Sequence, residues 1–149
     1  MRRFDSDMTL KSPIVIDTNI VLDLLVFGDT ATSPLQAALA AGEVDWIATT
    51  PMRDELARVL AYAQITPRLV FYQLSADDVM AAFDRQTHIL AVAPKASVTC
   101  SDADDQKFID LAVAHRAPLL SKDKAVLAMT RRLQVMGVRV TLTLERAAL

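Results

Sequence analysis

At 149 residues the chain suits one domain large enough to bury a core of its own, and a composition 52% apolar and 23% charged is globular rather than disordered. A net charge of −2 excludes the strongly basic balance of a typical DNA-binding module, and the lone Cys100 excludes an internal disulfide framework. No apolar run reaches the ~20 residues of a membrane helix, and Asp5, Asp7 and Lys11 interrupt any secretory core, so a cytoplasmic protein with no membrane partner is expected.

In chain order, residues 1–12 read as a flexible extension of a single domain spanning 1–149. Ile14-Val15-Ile16 follows Pro13 as a buried strand ending at Asp17. Ile20, Val21, Leu24, Leu25 and Phe27 then keep a helical period that stops at Gly28, and a second helix is predicted over 33–41, stopping at Gly42. Trp46-Ile47-Ala48 is a second strand. Thr50-Pro51 supplies an N-cap and a first-position proline for a helix reaching about Ala63, with Glu55 near its start. Ser75-Ala76-Asp77-Asp78 has the capping-box form and opens another helix, followed by an extended Leu90-Ala91-Val92.

Asp102-Ala103-Asp104-Asp105 begins a helix carrying Phe108, Ile109, Leu111 and Ala112, and Pro118-Leu119-Leu120-Ser121 is the next strand. One helix is predicted over 124–135, ending at Gly137, and Val138-Arg139-Val140-Thr141-Leu142 is the last strand. Strands alternating with helices imply an α/β fold with a parallel sheet covered on both faces.

In such a sheet the carboxyl ends of the strands and the amino ends of the following helices share one edge, where ligand sites gather. Asp17 ends the first strand, Glu55 lies in the second turn after the second strand, Asp105 in a first helical turn, and Asp123 just past Leu119-Leu120. Two carboxylates ~4 Å apart repel by about 4 kcal/mol at an effective dielectric near 20, so four converging acids call for protons or cations. Hard oxygen donors without histidine suit Mg²⁺ or Mn²⁺, which can activate water and stabilise the leaving oxygen of a phosphodiester. Periodicity leaves Asp54 beside Glu55 and Asp104 beside Asp105 as alternatives.

Ile16-Asp17-Thr18-Asn19-Ile20-Val21-Leu22 resembles the opening motif of PIN-domain ribonucleases. Met52-Arg53-Asp54-Glu55-Leu56, followed by Val59-Leu60, is similar to their second acidic motif. Asp102-Ala103-Asp104-Asp105-Gln106-Lys107-Phe108, then Ser121-Lys122-Asp123, resembles the third and fourth in order and spacing. The resemblance runs from Pro13 to Thr141. It implies a three-layer α/β/α sandwich, Mg²⁺- or Mn²⁺-dependent cleavage of RNA phosphodiesters, and catalytic and metal-ligating roles for Asp17, Glu55, Asp105 and Asp123. It further implies that Ser121 holds a water or a carboxylate, that Asn19 orients the first Asp, and that the chain is the toxin of a toxin-antitoxin pair with an antitoxin as partner. Lys122 and Lys124 stand where the family often has another acid or a glycine; they are the candidates for substrate phosphate contact. Asp102 is an additional acid, a ligand, a cap or both.

Against these stand simpler roles: Asp17 as an N-cap, Glu55 as a surface partner of Arg58, His88 and His115 as partly buried structural residues, Cys100 as a small packed hydrophobe and Trp46 as a core anchor. Other functions are also weighed. An aspartate-based phosphohydrolase needs an acid two residues after its nucleophile, where this chain has Asn19, and a receiver-like domain needs paired acids after its first strand. A non-catalytic PIN-like domain binding RNA or protein is the main alternative. Leu24, Leu25, Phe27, Leu35 and Leu39 exceed what one thin layer needs, so a homo-oligomer or a peptide-binding face on the early helices is expected.

Overall fold

The structure is a computed structural model and describes residues 11–144. Strand β1 (Ser12–Ile16) lies at the centre of a five-stranded sheet with β2 (Val44–Ala48), β3 (Thr87–Ile89), β4 (Leu119–Leu120) and β5 (Val140–Thr141), in the order β3-β2-β1-β4-β5. Every pairing is parallel, with Ile14 opposite Trp46 on one side of β1 and Ile16 opposite Leu120 on the other. The chain builds outward from β1 to β3, then crosses back and continues from β4 to β5. The switch point therefore falls between β1 and β4, where the loops leaving the two strands part and open a crevice.

Helices α1 (Thr18–Leu22), α2 (Ser33–Ala40), α3 (Thr50–Leu60), α4 (Thr66–Phe71), α5 (Ala76–Gln86), α6 (Gln106–His115), α7 (Lys124–Leu127) and α8 (Thr130–Val135) flank the sheet, giving the α/β sandwich expected of the sequence pattern. Being covered on both faces, the inner strands are apolar without alternation: Ile14, Val15, Ile16, Trp46, Ile47, Leu119 and Leu120 are all buried. Trp46 meets Phe83 of α5 edge to face at 5.3 Å, the core anchor read from the sequence.

The expected first helix continues past α1 as a wide, π-type turn over Asp23–Phe27 and closes on Gly28 at φ +59°, a left-handed conformation that glycine adopts without a Cβ penalty. Thr49, not Thr50, holds the N-cap position of α3, without a side-chain cap hydrogen bond, and the helix ends at Leu60 rather than near Ala63. Helix α4 was not foreseen, although Thr66-Pro67 repeats the start signal of Thr50-Pro51. The third strand is Thr87–Ile89 instead of Leu90-Ala91-Val92, because pairing with β2, rather than apolar content, sets an edge strand; only the Leu90 N–H continues it, donating to the Ala48 carbonyl. The single helix expected over 124–135 is two. The Thr130 hydroxyl donates to the Leu127 carbonyl at 2.6 Å and competes with helix continuation at that point.

Of the expected flexible extension, residues 1–10 lie outside the described residues, and Ser12 already pairs with Val44 in the sheet. The apolar surplus of the early helices is spent inward, since Leu24 and Leu35 are buried and Leu25, Phe27 and Leu39 pack against the core. Large apolar side chains are exposed instead on and around α4, at Tyr62, Val70 and Phe71. Among the described residues no helix is long and apolar enough to cross a membrane.

Candidate active site

Asp17 is the first residue past β1 and the residue before α1. Its N–H donates to the Leu120 carbonyl of β4 at 2.8 Å, which ties the acid to the switch point. Its carboxylate makes no cap hydrogen bond with α1; Oδ2 accepts instead from the fully buried Ser121 hydroxyl at 2.6 Å. The same Ser121 oxygen accepts from the Asp123 N–H at 3.1 Å, so one hydroxyl just past β4 spaces two acids. Asp123 caps α7 with its other role, Oδ1 accepting from the Ala125 N–H.

Asp105 ends a single 3₁₀ turn and precedes α6, which packs against β1. The long connection that delivers it is pinned from α6 itself. The Gln106 side chain accepts from the Cys100 N–H and donates to the Val98 carbonyl and to Asp110, which in turn accepts from the Ala96 N–H. Asp102 is exposed and caps the turn through the Asp104 N–H, so of its expected alternatives the observed one is the cap. Asp104 points to solvent while Asp105 is 7% exposed, which separates two neighbours that periodicity could not.

Asp17, Asp105 and Asp123 thus offer carboxylate oxygens that all lie within 4.8 Å of one another. Ionised pairs at that spacing repel by about 3 to 4 kcal/mol at an effective dielectric near 20. Burial raises the Asp17 carboxyl above its usual range, against the Ser121 hydrogen bond that lowers it, and the charges of Asp123 and Glu55 add to the rise. Burial also pushes Asp105 up to about 7, reinforced by the charges of Asp17, Asp123 and Asp102. Asp105 Oδ2 is buried with no hydrogen-bond partner. An orphaned, buried carboxylate oxygen among two further carboxylates, with no sulfur or imidazole in the group, fits a hard divalent cation. All three acids stand at helix starts, where the helix dipoles favour negative charge.

Glu55 stands beside this trio rather than in it. Helix α3 packs against both α1 and α6, and Glu55 receives the Thr18 hydroxyl from the first and an ion pair at 2.5 Å with Lys107 from the second. Its neighbour Asp54 is exposed, so the Asp54/Glu55 alternative resolves to Glu55 as the inward acid, and its partner is Lys107 instead of Arg58.

A family model described as PIN domain matches residues 13–125. The chain belongs to the PIN-domain family. PIN domains are generally metal-dependent nucleases that act on nucleic acids, and this chain carries a trio of carboxylates that could hold a metal ion. Among proteins of curated function none matches the chain.

Within this PIN domain some expected supporting residues sit elsewhere. Asn19 is exposed and makes no hydrogen bond with Asp17; Ser121 orients that carboxylate, because the residue after a helix's first position turns away from the strand end. Lys122 donates to Asp23 at 2.7 Å, and both it and Lys124 are exposed. His88 and His115 are exposed rather than partly buried, and Cys100 is buried, its thiol pushed up by burial. Thr18 and Lys107 were missed. Both lie inside the motifs that carry the family resemblance, directly after Asp17 and two residues after Asp105, but their partner Glu55 is remote in sequence.

Proposed function

We propose that this PIN domain is a Mg²⁺- or Mn²⁺-dependent endoribonuclease, with Asp17, Asp105 and Asp123 holding the cation and Glu55 completing the acidic edge. The observation that carries the reading is the meeting of three carboxylates within 4.8 Å around a buried, unpartnered Asp105 oxygen. A bound divalent cation supplies water activation and charge neutralisation at a phosphodiester. Ser121 fixes the Asp17 carboxylate and, through the Asp123 backbone, the separation of the two acids. Lys107 balances the charge of Glu55, and Lys124, next to Asp123 in the chain, is the cation assigned here to a substrate phosphate.

RNA as the substrate and the role of a toxin restrained by an antitoxin rest on the motif resemblance, and action in the cytoplasm rests on the lone cysteine. The test is cleavage of single-stranded RNA by the purified chain. Cutting is expected with Mg²⁺ or Mn²⁺ and not in EDTA, and Asp17→Asn or Asp123→Asn should abolish it while leaving the circular dichroism spectrum unchanged. Activity that persists in EDTA would sink the proposal. For the toxin role, induced expression in a bacterial host should arrest growth, relieved by Asp17→Asn; unimpaired growth with soluble wild-type protein removes that part.

A further inference from the structure

A cavity of about 280 Å³ has walls from four distant parts of the chain: α1 with its wide turn, the Asp29–Thr32 segment, Lys122 just after β4, and the residues after β5. We infer that this pocket seats one nucleobase of the nucleic acid engaged at the trio, and that it is a specificity site of the domain. For the presence of nucleic acid there, the inference rests on the nuclease reading.

The lining is mixed in the way a base requires. Ile20, Ala31 and Leu142 present apolar surface to a flat ring, while the carboxylate of Asp23, mostly buried, and the ammonium of Lys122 stand together at 2.7 Å as adjacent acceptor and donor. The edge of a base offers hydrogen-bond donors and acceptors side by side, and carboxylates and lysines are their usual readers. An amine still half exposed after pairing with Asp23 keeps donors for a further partner. Pockets for drug-sized molecules begin at roughly 300 Å³, so this one suits a single base rather than a dinucleotide.

Its position links it to the chemistry. Lys122 stands between Ser121 and Asp123, and Ile20 lies in the first turn of the helix that Asp17 precedes. The pocket and the trio thus draw on the same two segments, the one leaving β1 and the one leaving β4, and in the proposed arrangement a strand with a phosphate at the acids offers a base to this wall. The wide turn has a purpose in this light. Asp23, its first residue, lines the pocket, while Leu24 and Val26 lie in the core.

The test uses nucleosides, which carry no phosphate, titrated into the full-length chain without metal while the methyl groups of Ile20 and Leu142 are followed by NMR, with Val135 as a reference outside the pocket. Saturable shifts at Ile20 and Leu142 are expected for at least one of the four nucleosides. Ala31→Trp, which fills the pocket from an exposed position, should weaken binding at least tenfold, and Lys122→Gln should change the ranking of the four. Absence of saturable shifts with every nucleoside, or equal binding by Ala31→Trp, overturns the inference. The readout needs neither cation nor cleavage. A chain that binds nucleosides here yet cuts no RNA sinks the ribonuclease reading and keeps the pocket, and one that cuts RNA without these shifts does the reverse.

Discussion

Replacing Asp105 by Asn should make the metal-free protein more stable at alkaline pH, the opposite of what removing an ordinary capping acid does. The Asp105 carboxyl lies at about 7 in the fold against 3.8 when free, because burial and the charges of Asp17, Asp123 and Asp102 oppose its ionisation. Its protonated form favours the fold. That contribution is complete below about pH 4 and is lost as pH rises through about 7. At pH 8 the full difference corresponds to at most about 4 kcal/mol, and solvent screening of the cluster reduces the expected gain in Asp105→Asn to on the order of 2 kcal/mol. For a domain of this size that is a rise in Tm of roughly 4–8 °C in EDTA. Below about pH 4 the carboxyl is neutral in the folded and unfolded chain alike, and the two proteins should melt together. No cap hydrogen bond is lost, since Asp105 makes none with α6. Saturating Mn²⁺ reverses the order, because a cation bound only by the fold adds about 2.7 kcal/mol at a hundred times its Kd and the Asn variant has surrendered a ligand charge. Thermal melts at the two pH values, with and without Mn²⁺, decide the matter. A variant that melts lower than wild type at pH 8 in EDTA, or equal Mn²⁺ shifts in both proteins, would refute the reasoning.

Ser121→Ala removes the hydroxyl that serves both Asp17 and the Asp123 N–H, and should cost about 2 kcal/mol in urea unfolding together with most of the Mn²⁺-induced stabilisation. An unchanged Mn²⁺ response would show that these acids do not need to be spaced. Thr18→Val leaves Glu55 held by Lys107 alone, at an expected cost of about 1 kcal/mol and with weakened cleavage by an otherwise folded protein; full cleavage would remove Glu55's orientation from the mechanism. Trp46→Ala vacates the β2–α5 contact and should destabilise by about 3–5 kcal/mol with no change in metal affinity per folded molecule, as measured by calorimetry below the transition.

Much of this PIN domain was legible in its residues taken alone. Apolar runs such as Ile14-Val15-Ile16 cannot be satisfied except between two helical layers, and their alternation with capped helices leaves few topologies. The same logic put Asp17, Glu55, Asp105 and Asp123 on one edge before any coordinate, because the ends of parallel strands all face the same way; three of the four, without Glu55, bring carboxylate oxygens within 4.8 Å of one another. Local signals also placed the capping box at Ser75, borne out by reciprocal hydrogen bonds between Ser75 and Asp78. What tertiary structure alone decided are partnerships between residues far apart in the chain. Which acid of a neighbouring pair faces inward depends on the rotation of α3 and α6 against the sheet, and Glu55 meets Lys107 and Thr18 only because α3 packs between α6 and α1. Ser121 displaced Asn19 as the partner of Asp17 through the register of β1 on β4, a pairing that spans 104 residues. Spacing along a chain carries no information about such contacts, since they are selected by the packing energy of whole elements rather than by the propensities of the residues that make them.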